Sequence, residues 1–300
     1  MPAEKVIESV RGKQVLVTGG KGFLGSRIVT RLVEGGATVF CLGRHSGGSD
    51  DVRVNCIRQD VAETLRRELL PRQLDCILHL ASQTDHGAQT MDIFEVNVMG
   101  TARLLAYARE VDVRTFIYAS TGGIYGYRAT PLREEETPDP IDIYSASKYQ
   151  AEVLVRNWSS WFRTIILRLF FPYGPGQKDR LVPKLVKNIV GEKPVAIYND
   201  GRNPVINPIY VDEAVEIMYR AISHAESCIL NVAGPEMISI LELANRIGSL
   251  IGRKPVFEYL VDEKIDNLVA DTSKLRSSLM YSPRVHISEG LQQVISAWTN

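Results

Sequence analysis

The chain reads as an α/β protein built on a doubly wound parallel sheet with a smaller carboxy-terminal lobe, and three observations predict this. Short apolar runs with strand character alternate with longer amphipathic runs through the first half, the pattern of successive βαβ units. The first run, Gln14-Val15-Leu16-Val17, leads directly into the glycine-rich segment Thr18-Gly19-Gly20-Lys21-Gly22-Phe23-Leu24-Gly25. A length of 300 residues with 45% hydrophobic content is enough for a large core and a second lobe.

Taken in order, strands are expected at 14–17, 38–42, 54–57, 76–80, 115–119 and 164–169, with 229–232 joining the sheet late. The helix after the glycine-rich segment carries Leu24, Ile28, Leu32 and Val33 on one side, and a later helix carries Phe94, Val98, Leu104, Leu105 and Ala108. Core packing accounts for both stripes. Residues 1–170 are expected to form the sheet domain, segments near 205–235 to return to it, and 171–300 to make up most of the lobe. The segment 131–140, with three prolines and the run Glu134-Glu135-Glu136, reads as a solvated surface loop.

A glycine loop between a buried strand and an amphipathic helix has a specific physical use. Gly19 allows a tight turn, Gly22 lets backbone approach a pyrophosphate, and Gly25 lets the helix pack close to the strand, with the phosphates on the positive helix terminus. The prediction is a Rossmann-type dinucleotide site. Downstream, Tyr144 and Lys148 in Ile143-Tyr144-Ser145-Ala146-Ser147-Lys148 share one helix face. An ammonium beside a phenol favours its ionised form, which makes an acid/base. The same spacing occurs on ordinary solvated helices, so its meaning here comes from the glycine loop upstream.

The ordered motifs resemble an extended short-chain dehydrogenase/reductase of the NAD-dependent epimerase/dehydratase group over nearly the whole length. They are the glycine loop, His79-Leu80-Ala81-Ser82, Asn97-Val98-Met99-Gly100-Thr101, Tyr118-Ala119-Ser120-Thr121-Gly122-Gly123-Ile124-Tyr125-Gly126, and Tyr144 with Lys148. Arg168-Leu169-Phe170-Phe171-Pro172-Tyr173-Gly174-Pro175-Gly176-Gln177, Tyr210-Val211-Asp212-Glu213-Ala214 and Ala270-Asp271-Thr272-Ser273-Lys274-Leu275 follow. The resemblance implies that Tyr144 exchanges a proton with a sugar hydroxyl or carbonyl. It implies that Thr121 orients the same oxygen, and that Lys148 binds the nicotinamide ribose and lowers the phenol's pKa. Ser120 is expected to face backbone. Cofactor contacts are implied for Gly19, Gly22, Phe23, Leu24 and Gly25, for Asp60 and Val61, for Leu80, Ala81 and Ser82, and for Asn97, Tyr144, Lys148 and Phe171. Asp60 equally suits a helix cap. His79 is implied to be structural, and a homodimer through helices near 94–109 and the Tyr144 helix is implied, with Leu154, Val155, Trp158 and Trp161 as its apolar surface.

Departures from the family pattern narrow the reading. The dehydratases of the group carry an Asp-Glu pair directly after the threonine, whereas Gly122-Gly123 stand here. Dehydration is disfavoured, which leaves a 4-epimerase of a nucleotide-activated sugar or an NADPH-dependent 4-ketoreductase. The glycines leave room beside the sugar, or only shape a loop. Where an acidic residue is expected after the second strand, Gly43-Arg44 stands. This opens space for a 2′-phosphate and supplies a guanidinium, so the cofactor is expected to be NADP or NAD, with NADP favoured. Phe171 replaces a usual asparagine, and Ile206-Asn207-Pro208 replaces a diphosphate-binding Arg-Asp-Phe. Substrate contacts are therefore sought at Thr121, Gly122, Lys184, Arg202 and Tyr210, with Lys178 and Arg180 as further cations.

Composition excludes other classes. Lys plus Arg and Asp plus Glu are both 35, for a net charge of zero, so no basic footprint argues for nucleic acid or an anionic membrane. Neither a signal-like leader nor a membrane-length apolar run is present, and a cytoplasmic protein is expected. Cys41, Cys56, Cys76 and Cys228 lack metal-ligand spacing, and with three of them in apolar strand-like runs they read as buried, inert thiols; His45, His79, His86, His224 and His286 form no metal motif either. A reductase of a small non-sugar ketone and a non-catalytic dinucleotide sensor stay open as alternatives.

Overall fold

In the computed structural model, residues 10–44, 51–84, 90–198, 203–260 and 266–299 are described. His45, His86 and Arg202 lie outside them. The first strand, β1 (Gln14–Thr18), is buried along nearly its whole length and leads into α1 (Phe23–Glu34), which turns Ile28, Leu32 and Val33 inward. β2 (Thr38–Gly43), β3 (Val54–Arg58), β4 (Cys76–His79), β5 (Thr115–Thr121) and β6 (Arg163–Leu169) follow with helical crossovers. Each predicted strand is present, several of them longer by a residue or two at the ends.

All pairings in the main sheet are parallel, and its seven strands run β3-β2-β1-β4-β5-β6-β9, with β9 (Cys228–Val232) beside β6. Order reverses at β1, so the chain winds outward first to one edge and then to the other, as in a Rossmann sheet. Both faces are covered, which is why the central strands read as continuous apolar runs rather than alternating ones. One face packs on α1, α6 (Val211–Ala221) and α8 (Ser273–Leu279), through residues such as Val17, Ile28, Met218 and Leu275. The other packs on α3 (Gly100–Glu110) and α4 (Ile143–Asn157), through Leu16, Leu104, Phe116 and Val155.

A short helix, α2 (Thr90–Phe94), continues through a π-helical turn, Glu95–Met99, into α3. The carboxy-terminal part contributes α5 (Leu181–Val190), α7 (Ile240–Ile251) and α9 (Ile287–Thr299) to a further apolar cluster, which also takes in Ile124, Tyr125, Leu132 and Phe170. Two small sheets complete that part, β7 (Val195–Tyr198) with β11 (Phe257–Leu260) and β8 (Val205–Ile206) with β10 (Ile238–Ser239). Caps set the helix ends: Asp142 accepts the Ser145 N–H at 2.6 Å to start α4, and Ser239 accepts the Glu242 N–H at 3.1 Å to start α7. Among the described residues, no helix is long and apolar enough to cross a membrane.

A buried polar network ties α4 to the sheet. Arg168 on β6 donates from Nη2 to Glu152 Oε2 at 2.8 Å and from Nε to Glu152 Oε1 at 3.1 Å, and both side chains are at most 2% exposed. Its Nη1 reaches the Tyr125 hydroxyl at 2.5 Å and the Glu134 carbonyl at 3.0 Å. Tyr125 donates on to Asn231 Oδ1 at 2.8 Å, and the Asn231 N–H returns to Glu134 Oε1 at 2.7 Å. The expectation of a solvated loop at 131–140 is thereby corrected for Glu134: it is buried, and burial raises its pKa against the Asn231 hydrogen bond. Glu135 and Glu136 are exposed as expected. Removing one partner of a buried pair strands the other charge at a cost of about 3–5 kcal/mol. Glu152→Ala should therefore lower stability by about that much; a shift in urea midpoint equivalent to under ~1 kcal/mol would show that the pair is dispensable.

Candidate active site

The predicted residues gather at the carboxyl ends of the strands, where ligands of doubly wound sheets bind. Gly19 adopts φ +68°, the left-handed conformation that makes the tight turn after β1. A Cβ on Gly25 would lie 2.0 Å from the Gly19 carbonyl oxygen, so glycine is required for α1 to seat on β1. Gly22 would meet only the Gly19 oxygen, at 3.2 Å, and caps α1 without a side-chain hydrogen bond. The first-turn amides of α1 thus lack a side-chain cap beside open space.

Two clefts meet at this loop. The larger, about 1030 Å³, runs from the loop past Leu80 and Ser82 to Thr121, Gly122, Tyr144 and Lys148, and on to Phe171 and Arg180 in the lobe. Phe23, Leu24 and Gly25 also line it. The smaller, about 320 Å³, is bounded by Gly19, Gly22, Gly43, Arg44, Asp60, Val61 and Ala81. A Cβ on Gly43 would meet nothing within 4 Å, and Arg44 is exposed beside it. Together the clefts fit an extended dinucleotide: a phosphate-sized approach at Gly22, an open adenosine side at Gly43 and Asp60, and Lys148 and Tyr144 at the far end. Asp60 also accepts the Ala62 N–H at 3.0 Å, but within a turn: no helix follows it, so the helix-cap alternative is not met.

Some expected contacts lie elsewhere. Lys184 is exposed on α5 and lines neither cleft. Tyr210 is buried in the lobe, where its hydroxyl donates to Gln293 Oε1 at 2.7 Å and its ring meets Tyr173 edge-on. Asn97 lines neither cleft but holds the wall between them. Its Oδ1 accepts from Ser82 Oγ at 3.0 Å and the Gln83 N–H at 2.8 Å, while Nδ2 donates to the Gln83 carbonyl at 3.0 Å and Ser147 Oγ at 2.9 Å. The π-helical turn aims Asn97 this way, in keeping with the frequency of such turns near functional sites.

Burial raises the pKa of Tyr144, outweighing the opposing influences of the Ser82 hydroxyl and the positive charge of Arg180. The i,i+4 spacing predicts a phenol lowered by Lys148; instead the cation acting on it is Arg180. Lys148 is buried with its Nζ 4.2 Å from the centre of the Tyr118 ring, and burial, opposed by the Glu152 charge, brings its pKa down to about 7. An ammonium with a ring face and no carboxylate of its own is costly to keep charged. Thr121 accepts the Gly123 N–H at 3.2 Å, leaving its hydroxyl proton available to the cleft. Ser120 does not turn to backbone: its hydroxyl is buried, lacks a partner, and lines the cleft. His79 accepts or donates between Thr18 Oγ1 at 2.6 Å and Thr101 Oγ1 at 3.0 Å, and burial brings its pKa down to about 3. It is a neutral structural link.

Gly122 and Gly123 line the larger cleft, but the directions their side chains would take are filled. A Cβ on Gly122 would lie 2.6 Å from the Phe170 ring, and one on Gly123 would lie 2.5 Å from Ser145 Oγ. Close packing is what these glycines provide. Phe171 has φ +43°, a left-handed conformation rare for bulky residues and common for asparagine, the residue usual here in the resembling family. Lys21, Arg27, Tyr127, Gln177 and Leu268 also line the larger cleft. Lys21 and Gln177 lie within the quoted motifs and Arg27 on α1, whereas nothing local in sequence marks Tyr127 or Leu268. Among the described residues, no group of three or more His, Cys, Asp or Glu could hold a metal ion.

The chain is 28% identical over 306 residues to UDP-glucuronate 4-epimerase of Thermodesulfobacterium geofontis, covering 94% of each. It is 28% identical over 314 residues to UDP-glucuronic acid decarboxylase 1 of Arabidopsis thaliana, covering 96% of this chain and 70% of the relative. The structure of UDP-glucuronic acid 4-epimerase from Bacillus cereus, in complex with UDP-glucuronic acid and NAD, superposes with a TM-score of 0.86 at 26% identity, over 95% of this chain and 99% of that one. The family model for the NAD dependent epimerase/dehydratase family matches residues 15–233, and the chain belongs to that family.

Proposed function

We propose that this chain is an NAD(P)-dependent 4-epimerase of a UDP-activated sugar, with Tyr144 as acid/base. The observation that carries the reading is one cleft wall holding Tyr144, Lys148 and Thr121 beside the glycine loop, with no carboxylate next to Thr121 to eliminate water. The bound nicotinamide dinucleotide supplies the redox couple. In this reading the Tyr144 oxygen takes a proton from the C4 hydroxyl as that carbon is oxidised, and returns it to the ketone oxygen when the opposite face is reduced. Thr121 donates a hydrogen bond to the same oxygen, stabilising charge that develops on it. Lys148 binds the ribose, and its ammonium, once given acceptors there, favours the ionised phenol. The relatives with UDP-sugars in their names support this substrate class. Incubation with UDP-glucose, UDP-glucuronate and UDP-N-acetylglucosamine should yield a C4 epimer by NMR with no net change in cofactor redox state. A failure with all three, alongside oxidation of NADPH by a 4-keto sugar, would favour the ketoreductase.

Gly43 and Arg44 favour that second reading, because a ketoreductase draws on the NADPH pool whereas an epimerase returns its reducing equivalent each cycle. The NAD in the Bacillus cereus structure favours the first. A guanidinium contact to a 2′-phosphate is worth roughly 1.5–3 kcal/mol, about ten- to more than a hundredfold in affinity. Arg44→Ala should weaken NADP by that factor and leave NAD unchanged in calorimetric titration. Equal loss for both would make Arg44 a surface charge.

Tyr144→Phe should reduce turnover by about a hundred- to ten-thousand-fold while cofactor affinity stays within twofold or so. Lys148→Met should lose both turnover and nicotinamide binding. It should also make the cofactor-free protein more stable at neutral pH. The folded-state pKa of Lys148, about 7, lies below its ordinary value, so the folding penalty is full below pH 7 and shrinks as pH rises from there toward the unfolded value. A Lys148→Met protein less stable than wild type at pH 7 by thermal unfolding would overturn the assignment of a depressed pKa.

A homodimer through α2, α3 and α4 is part of the proposal. Val155 packs in the core, and Leu154 and Trp158 are partly buried against it; of the expected surface only Trp161 is exposed, and Met91, Met99 and Val153 are exposed with it. Arg109 covers the Trp161 ring at 4.7 Å. Light scattering should give a dimer for wild type and a monomer for the Met99→Glu, Trp161→Glu double variant. A monomeric wild type at micromolar concentration would reject the dimer.

A further inference from the structure

Cys41 and Cys56 are register partners on adjacent parallel strands, β2 and β3. Partners in register point to the same face. Val39 and Val54, the pair before them, both pack on the cluster that includes Cys41. β3 is the edge strand of the sheet, so it is paired on one side only. Cys56 is exposed, and Cys41 is buried with 8% exposure. The Cys41 Sγ lies 2.8 Å from where a Cβ on Gly20 would be, so the thiol supports the glycine loop from beneath. Cys41 also lines the smaller cleft, as does Gly20. No other pair of cysteines shares a register position, since Cys76 lies opposite Val15 and Thr115, and Cys228 opposite Ile165.

We propose that Cys41 and Cys56 close a reversible cross-strand disulfide that weakens dinucleotide binding. The effect on binding rests on reading the smaller cleft as the adenosine site; the disulfide itself does not. Adjacent strands lie about 4.8 Å apart, within the ~4.4–6.8 Å Cα separation a disulfide spans. The Cβ atoms must still draw closer than a flat ladder places them, which strains the bond. Strained disulfides are the readily reduced, regulatory ones.

The oxidant is a low-molecular-weight disulfide, RSSR. The exposed Cys56 thiol loses its proton and its thiolate attacks one sulfur of RSSR, forming Cys56–S–S–R and releasing RS⁻, which takes up a proton. The Cys41 thiol then loses its proton, attacks Cys56 Sγ and expels the second RS⁻, which is protonated in turn. Two cysteine thiols are oxidised to one disulfide, and one RSSR is reduced to two RSH. Burial raises the Cys41 pKa to about 11, so its thiolate is scarce. Proximity offsets this, because an adjacent nucleophile acts at a high effective concentration. Turning Cys41 Sγ toward Cys56 removes the support under Gly20 and draws β3 inward along the cleft wall.

The test uses the full chain, glutathione disulfide as the oxidant, and NAD as the binding probe. After oxidation, intact mass should fall by two hydrogens with no glutathione retained, and peptide mapping should join the Cys41 and Cys56 peptides. Cys41→Ser should keep glutathione on Cys56. Cys56→Ser should not react. NAD affinity measured by calorimetry should fall about tenfold in the oxidised wild type, recover with dithiothreitol, and stay unchanged by oxidation in Cys56→Ser. Wild type that retains glutathione on Cys56, or keeps both thiols free, overturns the disulfide. A joined pair with unaltered NAD affinity overturns the coupling, as does a wild type that binds no NAD when reduced; the last outcome also refutes the cofactor reading and is distinguished by the intact disulfide chemistry.

Discussion

The bidentate pair between Glu152 and Arg168 fixes the helix that carries the candidate catalytic residues. Glu152 lies one turn beyond Lys148 on α4, and Arg168 lies on β6, so a single pair of charge-assisted bonds sets the helix against the sheet. The remaining guanidinium donors go to Tyr125, just after Thr121, and to the backbone at Glu134. One buried cation therefore positions both sides of the cleft wall, the helix with Tyr144 and the strand end with Thr121. A buried ion pair is weak as a source of stability, because desolvation offsets its attraction. Here its contribution is geometric, since every donor of the guanidinium that is satisfied specifies one relative placement of four chain segments.

The strands were legible in the sequence because a parallel sheet buried on both faces demands apolar runs, and runs such as Cys76 to His79 meet that demand with no ambiguity of period. The glycine loop was legible for a related reason. Gly19 and Gly25 answer a backbone conformation and a steric clash that leave no alternative residue. What stayed hidden depends on partners far along the chain. Glu134 sits in a proline-rich acidic run and looks solvated, yet Asn231, 97 residues away, supplies its buried hydrogen bond. Tyr210 and Lys184 share the composition of ligand-binding residues, and only the fold of the lobe decides that one is sealed inside and the other turned to solvent. The π-helical turn at Asn97 and the left-handed Phe171 have no local sequence signal, since each is a conformation held by its surroundings.

Gly122 and Gly123 bear separately on chemistry and on packing. The absence of acid and base after Thr121 is a fact of composition and bears on the reaction. The inference of free space beside them treats a missing side chain as a void, whereas close-packed interiors fill such positions from the other side. Phe170 and Ser145 occupy them, and the glycines let β5, β6 and α4 approach one another. Phe171 and Arg180 also line the cleft.

The same ion pair explains the unusual state of Lys148. Arg168 engages both oxygens of Glu152, so the carboxylate one turn away acts on Lys148 as a distant charge and not as a partner. Burial then prevails and leaves the ammonium near half protonation at neutral pH, over the ring of Tyr118. Tyr144 is perturbed in the complementary sense, with its phenol raised by burial. Each group is thus held toward its neutral form, and neither is poised for proton exchange by the other alone. A ligand that brings hydroxyl acceptors to Lys148 would raise its pKa, place a full positive charge beside the phenol, and lower the cost of ionising Tyr144. In the proposed reading, Tyr144 would become competent as the acid/base when the cleft is filled, because the charge that activates it would be stabilised by what binds there.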